Sequence, residues 1–65
     1  MKIDANKLRI ALARKCWMWK DLQEQSGVTG QTFRNIKAGL SVKPETAGKI
    51  ARALGVDVTE LLTDF

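Results

Sequence analysis

Histidine and tyrosine are absent from this 65-residue chain, and cysteine and proline occur once each. Without histidine, neither a Ser-His nor a Cys-His nucleophilic pair can be assembled. With Cys16 as the one thiol, a zinc site of the usual Cys and His ligands is out of reach and no internal disulfide can form. No apolar run approaches the roughly 18 residues that a membrane span requires, because Lys and Arg interrupt every stretch. The opening residues, Met1-Lys2-Ile3-Asp4-Ala5-Asn6, carry neither an apolar signal core nor a cleavage pattern. Sustained period-two alternation and Asn-Gly or Asp-Gly hairpin turns are missing as well, which leaves strands without a signal. The expectation is a cytoplasmic, all-α, single domain over residues 1–65. No enzymatic activity, metal, cofactor or small-molecule ligand is expected of it, and no membrane association. A chain of this length buries only about 60% of the surface its unfolded form exposes, so its core must be efficient or completed by a partner.

What the chain does have is positive charge in an uneven distribution. The net charge is +4. Residues 1–43 hold nine Lys or Arg against three acids, an excess of +6, whereas residues 44–65 hold two against four. A basic first two thirds is expected of a surface that faces a polyanion, although a solvated basic surface would look the same.

Helix signals recur along the whole chain. Leu8, Ala11 and Leu12 share one face of a first helix over about 5–15, capped by Asp4 or Asn6. A second runs over about 19–25, with Leu22 inward and Gly27 just past its end. Thr29 opens a third, which reaches about residue 37 before Gly39. Pro44 lies in the first turn of a fourth, which carries Ala47, Ile50, Ala51 and Leu54 on one face and stops at Gly55. Asp57 and Glu60 form a capping-box pattern for a fifth helix bearing Leu61 and Leu62. Trp17 and Leu22, Val28 and Phe33, and Val56 and Leu61 stand five apart across three of these starts, the spacing of a hydrophobic staple.

Lys20 to Gly39 reads KDLQEQSGVTGQTFRNIKAG, a short helix, a tight turn at Ser26-Gly27-Val28, and a second helix. Leu22, Val28, Phe33 and Ile36 are its apolar anchors. The pattern is that of a helix-turn-helix whose second helix enters the major groove of double-stranded DNA. With Phe33 and Ile36 buried, the opposite face presents Gln31, Arg34, Asn35 and Ala38. Gln and Asn can pair bidentately with adenine and Arg with guanine, so these are candidate base readers. Gly30 permits close approach and offers a backbone N–H. Thr32 and Lys37 flank the ridge within reach of sugar or phosphate. The plain alternative is a solvated helix face.

These landmarks resemble the helix-turn-helix family of lambda-repressor and Cro type, also called the Xre family, over about residues 7–62. The resemblance is carried by Leu22, Gly27-Val28, Ile36, Lys37-Ala38-Gly39, Pro44 and the run KIARALGVDVTELL, in that order and spacing. It implies a compact five-helix domain and a transcriptional regulator, with base reading from Gly30, Gln31 and Asn35. It also implies phosphate contacts from Leu40 through its N–H, from Ser41 and from Lys43. The chain departs from the family pattern at Met18 and Trp19, where a Ser or Thr cap and a phosphate-binding Gln are usual. Loss of the cap costs about 1 kcal/mol, partly offset by Asp21 near the positive helix end. Trp19 faces either DNA, through its indole N–H, or a surface contact. Gln23 stands where a small residue is usual, and Gly30 where many relatives carry a base-reading side chain.

Trp17 is expected in the core and Cys16 as a small buried or half-buried hydrophobe. Leu62 and Phe65 are expected at a partner surface, most simply that of a second copy in a weak homodimer, formed in solution or only on DNA. The functional expectation is a repressor acting by occlusion of an operator. The rival from another class is an antitoxin-like or docking subunit that grips a protein through its apolar C-terminal end. RNA binding is disfavoured by the narrow A-form major groove.

Overall fold

A computed structural model describes residues 1–63 of the chain. Four α-helices follow one another among these residues: α1 (Ala5–Lys15), α2 (Trp19–Ser26), α3 (Gly30–Lys37) and α4 (Pro44–Leu54). Local chemistry sets their ends. Asp4 caps α1, its Oδ1 accepting the N–H groups of Asn6 and Lys7 at 2.8 and 3.2 Å. Met18 begins α2 without a side-chain cap, but the Asp21 carboxylate accepts the Met18 N–H at 2.9 Å, half of a capping box. Pro44 occupies the first turn of α4, where its missing N–H has no partner to lose.

The expected fifth helix is a single 3-10 turn, Val58–Glu60. Its start is as the sequence implies: Asp57 accepts the Thr59 N–H at 2.9 Å and Glu60 accepts the Asp57 N–H at 3.2 Å. Continuation is prevented by a non-local competitor. Ile3 and Leu62 form an antiparallel bridge, in which Asp4 N–H donates to Leu61 O at 2.8 Å and Thr63 N–H to Lys2 O at 3.1 Å. The backbone groups a fifth helix would need are already paired with the N-terminal segment.

The core draws on every element. Leu8, Leu22, Phe33, Ile36, Ile50 and Leu61 are its largest fully buried side chains. α4 packs against α1, α2 and the 3-10 turn. Replacing a residue such as Leu22 by Ala removes transfer energy and leaves a cavity, a cost of about 2–5 kcal/mol. In a domain of this size that is a large share of the whole stability.

Two expectations about packing change. Leu62, assigned to a partner surface, is 3% exposed and belongs to the core beside Ile3, so it has no side-chain surface to offer a partner. Phe65 lies outside the described residues. Cys16 is exposed, not buried, because it closes α1 in the left-handed region at φ +58°. Trp17 is half-buried against the core, with the Lys15 ammonium 5.1 Å from its ring centroid.

Candidate nucleic-acid interface

The turn between α2 and α3 is built by short-range bonds. Ser26 Oγ donates to Leu22 O at 2.6 Å and accepts the Val28 N–H at 3.2 Å. Gly27 takes φ +73° and returns its N–H to Gln23 O at 2.9 Å. That conformation is costly for any residue with a Cβ. Val28 and Phe33 are then driven into the core, which fixes the direction in which α3 leaves.

With Phe33 and Ile36 buried, α3 shows solvent a middle and two edges. The middle carries Gln31 and Arg34, both exposed. Gln31 Nε2 donates to Asn35 Oδ1 at 3.1 Å, so the two amides form one unit a helical turn long. This arrangement leaves Gln31 Oε1 to accept and Asn35 Nδ2 to donate, the two functions that adenine N6 and N7 require.

One edge meets the α3–α4 connection. Thr32, Asn35, Ser41, Val42, Lys43 and Thr46 line a single polar cleft. Thr46 was not singled out in the sequence. Its signal is position: it lies three residues after Lys43, the cap position of α4, and so faces the same helix end. Gly39 closes α3 at φ +82°, and the Leu40 N–H donates to Asn35 O at 2.9 Å at the helix end. The Leu40 side chain is exposed. Ser41 and Lys43 remain exposed beside the cleft.

The other edge meets α2. Trp19 is half-buried with its ring centroid 5.7 Å from that of Phe33, tilted by 56°. The Lys37 ammonium lies 4.3 Å from the Trp19 centroid. Two residues assigned separately to the phosphate backbone are thus one contact. Farther toward the start of α3, a Cβ built on Gly30 would meet the Gln23 amide, 3.3 Å from Nε2 and 3.5 Å from Oε1. The two departures from the expected pattern therefore complement each other: the larger residue on α2 fills the space left by the missing side chain on α3. Thr29 stands at the cap position of α3 as expected, but its hydroxyl pairs with that of Thr32 at 3.3 Å and makes no cap bond to the backbone.

Among the described residues, no group of three or more His, Cys, Asp or Glu side chains stands together as a metal site. No helix among them is long and apolar enough to cross a membrane. A family model described as a Cro/C1-type helix-turn-helix DNA-binding domain matches residues 7–65. Among curated proteins and among solved structures, none matches the chain.

Proposed function

Because the chain belongs to the Cro/C1-type helix-turn-helix DNA-binding family, we propose that it is a sequence-specific transcriptional regulator with α3 in the major groove of double-stranded DNA. As a member of that family it is a DNA-binding domain and not an enzyme. The observation that carries the finer reading is the joined pair Gln31–Asn35, exposed on the outer face of α3 with an acceptor and a donor free. Arg34 beside them adds a guanine reader. On either side stand the groups suited to phosphate: Lys37 held by Trp19 on one edge, and Thr32, Ser41 and Lys43 around the cleft on the other. Phosphate contacts on both flanks set the register, and the ridge between them reads bases.

In this proposal the protein works in the cytoplasm as a repressor, by occupying an operator and excluding polymerase. It binds as a weak homodimer, formed in solution or on DNA, whose two reading helices address half-sites about one helical turn apart. Of the exposed large apolar residues, Ile10 lies in a groove shared with Lys7, Ala11, Arg14, Val56 and Glu60, which suits such a contact. Basic Arg14 and acidic Glu60 line the same groove, so two copies related by a two-fold axis can exchange charge pairs there. The rival docking-subunit reading rested on exposed Leu62 and Phe65; Leu62 is buried and gives it no support, and Phe65 lies outside the described residues.

The test is selection of bound duplexes from a random pool at about physiological salt. Enrichment of a palindrome with half-sites centred roughly 10 base pairs apart is the expected result. Weak binding that depends steeply on salt, with no enriched sequence, would leave only polyanion affinity and end the proposal.

A further inference from the structure

Gln23 lies on α2, yet its amide is placed at the beginning of α3. It stands 3.3–3.6 Å from the point where a Cβ on Gly30 would be, and so occupies the volume of a side chain at that position. No hydrogen bond among the described residues uses this amide. It is not a buried group left unsatisfied either, because no buried side-chain N or O among the described residues lacks a partner. Neither end of the amide is therefore fully buried, and the residue as a whole is half-buried. An uncommitted amide that is not fully buried, lying against the start of α3, is available to bond.

The location matters. Gly30 is the first residue of α3, and the N-terminal residues of a reading helix are the ones that approach base edges. A glycine there contributes no side chain of its own. Gln31, the next residue, belongs to the joined pair with Asn35. We propose that Gln23 is a specificity-determining residue: from α2, through the space left by Gly30, its amide reads a base pair beside the one addressed by Gln31. The inference rests on DNA reading by α3. An amide bonds adenine through N6 and N7 when it presents one acceptor and one donor, and the free Gln23 amide retains both.

The test compares duplex selection by the wild-type chain, Gln23→Glu and Gln31→Ala, with the melting transition of each measured alongside. Gln23→Glu keeps the shape of the side chain and removes its N–H donors. The expected result is a loss of roughly 5- to 100-fold preference at one base pair, next to the pair that relaxes in Gln31→Ala. Unchanged preference at every base pair, with or without uniform weakening from the added charge, overturns the role of Gln23 and leaves reading by α3 intact. A wild-type chain that enriches no sequence overturns both. If Gln23→Glu melts too low for comparison, Gly30→Ala serves instead, since its Cβ presses on the same amide from α3. It is expected to alter preference at that same pair, and identical preference to wild type overturns the proposal.

Discussion

The Lys37 ammonium sits 4.3 Å from the centroid of the Trp19 ring, joining the end of α3 to the start of α2. Trp19 itself packs at a tilt against the buried Phe33, so the cation rests on a ring that is braced by the core. A contact of this kind at an exposed site contributes about 0.5–1 kcal/mol and restricts a side chain that is otherwise free to rotate. Lys37→Ala should weaken binding to all duplexes alike and reduce the salt slope by about one. Trp19→Phe keeps a ring beneath the ammonium and should bind within about twofold of wild type, whereas Trp19→Leu should bind less well. A fall in Trp19→Phe as large as in Trp19→Leu would mean that the indole N–H meets phosphate directly. Binding isotherms at several salt concentrations read all three.

Cys16 is the one non-glycine residue with positive φ among the described residues, at +58°. The left-handed conformation costs an L-residue roughly 1–2 kcal/mol, against a loss of about 0.5–1 kcal/mol for the greater unfolded freedom of glycine. Cys16→Gly should therefore stabilise the fold by up to about 1 kcal/mol, a rise of roughly 4–8 °C in Tm at this chain length. Cys16→Ala gains nothing from the backbone and serves as the control. Equal melting of the two variants would show that the strain at this position is negligible.

What was legible in the sequence was mostly short-range. Asp4, Gly27, Pro44 and Gly55 mark helix ends because caps and left-handed closures act over a few residues. The anchors Leu22, Val28, Phe33 and Ile36 follow from helical spacing and are all buried. What escaped depended on partners far along the chain. Ile3 carries no periodic signal, yet its pairing with Leu62 replaces a fifth helix with one 3-10 turn and withdraws Leu62 from the surface. The site divides in the same way. Gln31 and Asn35 lie one turn apart on an outward face, as spacing implies, whereas Trp19 with Lys37 and Gln23 with Gly30 meet only across the α2–α3 corner.

Asp57 supplies a pH-dependent term. Backbone and side-chain hydrogen bonds from Thr59 hold its carboxyl below the ordinary value of 3.8. A depressed pKa in the folded state means that the stabilisation is complete above the unfolded value and is lost as pH falls through the folded one. Asp57→Asn keeps an acceptor for the Thr59 N–H but cannot titrate. Its Tm should fall less steeply than that of wild type below about pH 4, with the curves parallel near neutrality. Identical acid limbs in the two proteins would remove Asp57 from the pH response.

Lys43 occupies the cap position before α4 and lines the cleft with Ser41 and Thr46, where its charge adds to the positive end of the helix. Lys43→Ala should weaken every duplex to the same degree and lower the salt slope by about one, leaving the selected sequence unchanged. An unaltered slope would exclude Lys43 from the phosphate contacts.

Gln31 and Asn35 make a different prediction because they are bonded to each other at 3.1 Å. Each Ala substitution should cost about 1–3 kcal/mol on the selected duplex and relax preference at one base pair. Their effects should not add. With Gln31 removed, the Asn35 amide loses the donor that orients it, so part of what Asn35→Ala would remove has already gone. The double variant should therefore lose less than the sum of the single variants, by at least about 0.5 kcal/mol. Binding of the four proteins to the selected duplex and to its single-base variants measures both quantities. Additive losses would mean that the two amides act independently on DNA, whatever bond they share in the free protein. Equal loss on every sequence would take both residues out of base reading and leave them as a solvated helix face.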